Sequence, residues 1–360
     1  MKILILTLSD NYDHQEMMYS LYQELKKENH LVYTMGIINP KVKVDLDLST
    51  NKLIDCPKRP GICKNTFNIF VLFNLIRFIR KENFEAILIE SLHIWNIPIL
   101  LLKKRKEKVF HIIHDSIPHQ GDKHEKLITL MNMIVSKLSN YIFLCNKKYV
   151  SGFCEQYKID KNKVYTINLW KKFPEYVKTC KHNSFLFFGR INYYKGISNL
   201  YTIINECKEI HFDIVGRVDA GMQSIVDKIN KLPNVTINSN YVSEDEMSNY
   251  FLKNDWVILP YISATQSGVI IDAYKYSKPV IAFNVGAISE QIDNQVSGSL
   301  INEKNIEGFI QEILKCNNLN QEDYNIITKN AYQYGENLYS VKNVSREIMK
   351  IIEKLLYEEV

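Results

Sequence analysis

Residues 185–196 read FLFFGRINYYKG. Four apolar residues run into Gly189, Arg190 follows at once, and Lys195-Gly196 stands five positions further on. This is the pattern of a strand buried on both faces, ended by a sharp glycine turn, with a second glycine opening the next helix. In parallel α/β sheets, ligands gather outside the carboxyl ends of the strands. Arg190 and Lys195 are therefore expected at such a crevice. There a guanidinium can hold a diphosphate through paired hydrogen bonds, and an ammonium can act as a point charge. The competing reading is a salt bridge to a nearby carboxylate.

The same alternation extends in both directions. Before this stretch come KILILTL, HLVYTMGI, FEAILIE, KVFHIIHD, YIFLCN and KVYTIN, with amphipathic helical segments such as YSLYQELKKE between them. After it come HFDIVG, NVTINSN, WVILPY and PVIAFNVG, interleaved with ISNLYTIINECK and SEDEMSNYFLKN. Short apolar runs alternating with helices predict an α/β protein of two Rossmann-like β/α/β domains. A chain of 360 residues is also too long for a single core. The polar stretch WKKFPEYVKTCKH reads as a linker, giving domains over 1–175 and 184–335. Residues 303–317 and 321–357 read as wholly helical, and 336–360 as a helix packing back toward the N-terminal domain.

Composition excludes several classes. With 46% hydrophobic and 24% charged residues, the chain is neither disordered nor membrane-spanning. No run approaches the roughly 20 apolar residues of a spanning helix. MKILILTLSD is too short for a secretory leader and has no small-residue cleavage site, so it reads as a first strand. Seven cysteines without a CxxC or metal-type spacing point to a reduced, cytoplasmic setting. The net charge of +5 is uneven, with residues 1–180 basic and 181–360 acidic, so the first lobe is expected to meet something anionic. Basic residues without interleaved exposed aromatics argue against nucleic acid. The first turn, LSDNYDHQ, has no glycine, which excludes the dinucleotide fingerprint. Asp45-Leu46-Asp47 matches an acidic cation-binding triplet but has no partner motif, so no metal is expected.

A second signal is YISATQSGVIIDAYKYSKPVIAFNVGAISEQI, residues 261–292. The Ser267-Gly268 turn offers backbone N–H groups at a helix N-terminus, suited to an anion. Asp272, one turn on, could accept hydrogen bonds from ribose hydroxyls or be a surface carboxylate. SGSLI, residues 297–301, reads as a hairpin.

Together these segments resemble the retaining glycosyltransferases of family 4 (group 1), which have the two-lobed GT-B fold with domains facing across a cleft. The resemblance rests on Gly189-Arg190, Lys195-Gly196, Ile214-Val215-Gly216, the strand Pro279-Val-Ile-Ala and Gly286-Ala287, followed by Glu290. It covers about 150 residues of the second lobe, while the first lobe matches only in pattern. The family's acidic motif departs here. Asp272 takes its second acidic position, and Ala264 or Thr265 stands where the first glutamate is expected. ATQSGV looks like a variant turn from a branch used in bacterial surface-polysaccharide assembly.

The resemblance implies catalytic roles for Arg190, Lys195 and His114. It implies a donor site of Gly189, Gly216, Tyr241, Val242, Thr265, Gln266, Ser267, Gly268, Val269 and Asp272. His114-Asp115 and His119, in HDSIPHQGD, and Asp10-Asn11 of the first turn fall on the acceptor side. The implied reaction moves a sugar from a nucleotide-diphosphate sugar, UDP favoured over GDP, with retention and without a metal or cofactor. The expected acceptor is a glycan or polyprenyl-diphosphate-linked glycan in capsule, O-antigen or exopolysaccharide synthesis. Lys58, Arg59 and Lys64, with Phe67, Phe70, Phe73, Phe78 and the basic run 103–108, suggest docking on the anionic inner face of the plasma membrane. The alternatives are a non-catalytic two-lobed partner of another transferase, a nucleotide-sugar 2-epimerase, and phenylalanines that are simply core.

Overall fold

The computed structural model describes residues 1–37, 49–54, 64–114, 116, 125–240 and 242–357. The chain forms two compact units: residues 1–171 with 341–360, and residues 172–340.

Unit 1 holds β1 (Lys2–Thr7), α1 (Tyr12–Lys27), β2 (Leu31–Ile37), β3 (Asn51–Ile54), α2 (Ile69–Glu82), β4 (Ala86–Ile89) and α3 (Asn96–Leu102). It continues with β5 (Lys108–Ile113), α4 (Glu125–Leu138), β6 (Tyr141–Leu144), α5 (Val150–Tyr157) and β7 (Val164–Thr166). The seven strands lie in the order β3-β2-β1-β4-β5-β6-β7, all parallel. Side chains alternate across the sheet, as strand geometry requires. Ile3 and Ile5 of β1, with Ala86 and Leu88 of β4, face one core layer with α1. Leu4 and Leu6, with Ile87 and Ile89, face the other layer, against α2 and α3. Both faces are covered, so these strands read as unbroken apolar runs.

Unit 2 holds β8 (Ser184–Phe188), α6 (Ile197–Glu206), β9 (His211–Val215), α7 (Gln223–Ile229), β10 (Val235–Asn238), α8 (Glu244–Lys253) and β11 (Trp256–Leu259). It ends with α9 (Gly268–Lys275), β12 (Val280–Phe283), β13 (Gly298–Ile301), α10 (Ile306–Asn317) and α11 (Gln321–Tyr339). Its six parallel strands run β10-β9-β8-β11-β12-β13. In both sheets the order reverses beside the first strand, at β1/β4 and at β8/β11, the switch points where crevices open.

Two expectations need correction. Residues 298–301 form no hairpin; β13 pairs parallel to β12, because the chain recrosses through the short helical turn Ile288–Glu290 before re-entering the sheet. The helix expected over 321–357 breaks at Ser340, whose backbone is extended (φ −66°, ψ 137°). There the Val341 N–H donates to Lys171 O at 3.0 Å, and α12 (Val341–Tyr357) begins. Val341, Val344, Ile348, Ile352 and Leu355 of α12 repeat at helical spacing and enter the unit 1 core with Ile3, Met18 and Leu21. Trp170, just before the crossing, is buried, and its indole N–H donates to Met17 O at 2.9 Å.

Candidate active site

In unit 2 the two sequence signals meet at the β8/β11 switch point. Gly189 ends β8 with φ +105°, and its N–H donates to Val215 O at 2.8 Å. The chain then stays beside the segment after β9: Ile191 N–H reaches Arg217 O at 2.8 Å, and Asp219 N–H reaches Ile191 O at 2.9 Å. Gly216 approaches so closely that a Cβ there would lie 2.0 Å from Gly189 O. Gly196, with φ +73°, caps α6, and a Cβ on it would lie 1.8 Å from Pro260 O. Ile262 N–H to Tyr194 O (2.8 Å) and Asn199 Nδ2 to Pro260 O (3.0 Å) tie the loops after β8 and β11 together.

Lys195 is half-buried in this junction. Its Nζ lies 5.2 Å from the centroid of the Tyr261 ring and 2.6 Å from the place a Cβ on Gly189 would take. Among the described residues it makes no ion pair, so the salt-bridge reading fails for Lys195. Arg190 differs. Its side chain is 42% exposed, with Nε 3.6 Å from Asp219 Oδ2 and Nη2 donating to Tyr194 OH at 3.1 Å. Asp219 lies 29 residues along the chain, so the sequence gives no local sign of this pairing.

The ATQSGV turn is also held by a distant residue. Ser267 N–H donates to Gln291 Oε1 at 2.7 Å, and Gln291 Nε2 returns a hydrogen bond to Ser267 O at 3.1 Å. The expectation that Ser267 offers its amide to a ligand is therefore corrected, because Gln291 has taken it. Gly268 and Val269 begin α9 as its first-turn N–H groups, and the position of a Gly268 Cβ is open space. Asp272 is buried, at 6% exposure, and Gln266 is half-buried. Val242 follows β10, beside the Ser243/Glu246 capping box of α8, while Tyr241 lies outside the described residues. Tyr261 OH, Thr265 Oγ1 and Asn192 Nδ2 are buried and have no hydrogen-bond partner among the described residues. Such groups normally cost about 1–3 kcal/mol each unless something binds them.

In unit 1, a charged cluster lies at the β1/β4 switch point. Glu90, immediately after β4, is fully buried. Its Oε1 meets His14 Nδ1 at 2.5 Å and His114 Nε2 at 2.9 Å, and its Oε2 accepts from Thr7 Oγ1 at 3.2 Å. The two imidazoles lie edge to face, with centroids 5.0 Å apart. His114 Nε2 is also 3.0 Å from Glu90 O, and its Nδ1 is 3.9 Å from Cys145 Sγ. Despite the cost of burial, the two histidines hold the Glu90 carboxyl far below the usual carboxylate range. Against its own desolvation, His114 is pushed well above the ordinary histidine value by Cys145 and Glu90. His111, buried with neither ring nitrogen bonded among the described residues, is pushed down to about 3 by burial and stays neutral.

The three ligand-type atoms of His14, Glu90 and His114 fall within 4.8 Å of one another. However, two ligands of one tetrahedral zinc, each about 2.0–2.1 Å from the ion, stand roughly 3.3 Å apart. Separations of 2.5 and 2.9 Å are those of hydrogen bonds to one shared oxygen.

The sequence reading named His114 and reached His14 only as the end of the first turn, without its pairing to Glu90, which it missed. An acid directly behind the buried run AILI was the available signal for Glu90. Asn11 is exposed, caps α1 without a side-chain bond, and stands with half-buried Asp10 at the same edge. Asp115 and His119 lie outside the described residues.

Two parallel Rossmann-like units of this kind constitute the GT-B fold. A crystal structure of a glycosyltransferase from Rickettsia africae matches it with a TM-score of 0.71 at 18% identity, covering 99% of this chain and 98% of that one. Anabaena Alr3699/HepE in complex with UDP-glucose matches with a TM-score of 0.70 at 13% identity, covering 98% and 100%. Residues 182–318, which include β8–β13, match the family described as glycosyl transferases group 1. A protein of the cps region of Klebsiella pneumoniae is 26% identical over 279 residues, 71% of this chain and 76% of the relative.

Proposed function

We propose that the protein is a retaining hexosyltransferase that moves a sugar from a nucleotide-diphosphate sugar, with UDP as the favoured nucleotide. The observation that carries the reading is the half-buried Lys195, without an ion-pair partner among the described residues, beside Gly189 at the switch point of a group 1 domain. Departure of a nucleoside diphosphate builds negative charge on phosphate oxygens. A fixed ammonium and helix-start amides stabilise that charge more in the transition state than in the ground state. Lys195 and the Gly268 and Val269 N–H groups take this role, with Arg190 contributing from the rim. Asp272 and Val242 are assigned to the ribose and base, and Thr265 and Gln266 to the sugar. The reaction needs no metal in this assignment. The UDP-glucose complex of Alr3699/HepE supports the choice of donor.

The acceptor is proposed to be a lipid-linked glycan of surface-polysaccharide synthesis, a reading supported by the cps-region relative. The start of α2 favours a membrane-side location: Phe67, Ile69, Phe70 and Phe73 are 81%, 65%, 77% and 63% exposed. Arg77 and Lys81, both exposed, continue the Phe70–Phe73 face toward the helix end. Arg77 stands about 10 Å up the axis from Phe70, at 1.5 Å per residue. Exposed aromatic rings with cations further along the same face suit an anionic membrane surface, rings toward the acyl boundary and cations among the headgroups. Phe78 instead packs on the unit 1 core.

A thermal-shift panel of UDP-, GDP- and ADP-sugars, followed by donor-hydrolysis assays, tests the reading. A ligand at 100 times its Kd stabilises by about 2.7 kcal/mol, or about 5–10 °C for a unit of this size. No shift with any nucleotide sugar overturns it. Lys195→Ala is expected to lower kcat by about 10²-fold or more.

A further inference from the structure

We propose that Glu90 is a positioning residue that holds His114 as an imidazolium at the carboxyl edge of the unit 1 sheet, with His14 as the second ring that fixes the carboxylate. Its role in turnover rests on the transferase reading, but its charge state does not.

Glu90 has no exposed side-chain surface, and an uncompensated carboxylate in that position is costly. Its side-chain partners are Thr7 Oγ1, His14 Nδ1 and His114 Nε2. Among the described residues no lysine or arginine pairs with it. The compensating charge must therefore sit on an imidazole.

His14 meets the carboxylate through Nδ1 alone, 2.5 Å from Oε1. His114 turns Nε2 to both the Glu90 carbonyl and its carboxylate, a pair of acceptors that requires a proton there. Its other nitrogen, Nδ1, faces Cys145 Sγ from the end of β6. His111, on the neighbouring part of β5, is neutral and adds no competing charge. Among the described residues, the titratable groups that face His114 include Glu90 after β4, His14 from α1, His111 on its own strand and Cys145 after β6. The His114 ring stands directly against the carboxylate, with Nε2 2.9 Å from Glu90 Oε1.

The clamp leaves one route for the charge to act. Glu90 is sealed in, whereas the His114 and His14 side chains retain 14% and 9% exposure. The cluster therefore shows a ligand the edge of the His114 ring and hides its anion. A hydroxyl or phosphate oxygen of a sugar substrate is the chemistry such an edge accepts. Glu90 acts on that substrate only through the rings.

Histidine ¹⁵N NMR of the full chain tests the charge state without any substrate. His114→Asn and His14→Asn identify the two signals. The expected result is that His114 carries both ring protons at pH 7.5 in the unaltered protein. In Glu90→Gln it should become neutral at that pH. A neutral His114 in the unaltered protein at pH 7.5 overturns the proposal, as does stoichiometric zinc binding that displaces the ring protons.

Should Glu90→Gln fail to fold, His14→Asn serves instead. It retains the Glu90–His114 contact, so His114 is expected to stay protonated; loss of that proton refutes the assignment. In turnover, Glu90→Gln is expected to lower kcat about tenfold or more, with the donor KM within about twofold, and Glu90→Asp to restore part of the rate. An unchanged kcat and pH–rate profile in a folded Glu90→Gln protein would show the clamp to be structural only. Nucleotide-sugar binding measured on the same variants separates this outcome from failure of the transferase reading.

Discussion

Gly189→Ala is a demanding test of how unit 2 presents its cation. The residue has φ +105°, and the new Cβ would fall 2.6 Å from Lys195 Nζ. The backbone strain is worth about 1–3 kcal/mol. The steric conflict is with the end of a flexible side chain, so the ammonium yields at little cost and leaves its place over Tyr261. Strain of that size should lower Tm by about 4–8 °C at its midpoint. The displaced ammonium loses a charge-assisted hydrogen bond to diphosphate worth about 1.5–3 kcal/mol, a loss of roughly 10- to 100-fold in UDP-sugar affinity.

The two effects separate in a double-mutant cycle. Lys195→Ala should lower affinity by a similar factor with little change in Tm. In the Lys195→Ala background, adding Gly189→Ala should cost stability again but almost no further affinity, because there is no ammonium left to move. Calorimetric titration with UDP and thermal denaturation of the four proteins supply both readouts. If the affinity losses simply add, or if Gly189→Ala binds UDP like the parent, Gly189 does not act through Lys195.

Other consequences are equally direct. Gln291→Ala frees the Ser267 amide and carbonyl in a buried turn, and is expected to destabilise unit 2 by about 1–3 kcal/mol in chemical denaturation. Lys278 is fully buried, and desolvation lowers its pKa to about 8, partly opposed by Asp255. The folded protein then releases this proton before the unfolded chain does, so stability should rise between pH 8 and 10, by up to about 3 kcal/mol at full deprotonation. Lys278→Met should flatten that window in denaturation curves. His114 has the opposite sign: its contribution is complete below about pH 6.5 and is lost as pH rises through its raised folded value. Glu90→Gln should remove that alkaline decline. Replacing Phe67, Phe70 and Phe73 with serine should abolish flotation with anionic liposomes, whereas no flotation of the parent protein would remove the membrane from the assignment.

What could be read from the sequence follows the range of the forces involved. Strand runs such as KILILT and SFLFF declare themselves because both faces are buried, and Gly189 and Gly196 because their backbone positions tolerate little else. Lys195 was legible for the same reason, lying next to its glycines. Partners supplied from elsewhere were not. Asp219 reaches Arg190 through the pairing beyond β9, and Gln291 reaches Ser267 from 24 residues away. The Glu90 cluster joins three segments that only the strand order β1-β4-β5 makes neighbours. The break at Ser340 was hidden because polar and apolar residues keep helical spacing on both sides of it.

The return of α12 to the first core has a consequence for biosynthesis. Residues 172–340 include every strand of the second sheet, whereas the first core still lacks Val344, Ile348 and Ile352 when that stretch is complete. The first core therefore closes only across the whole inserted second unit, and cannot be completed until the chain beyond residue 340 has been made.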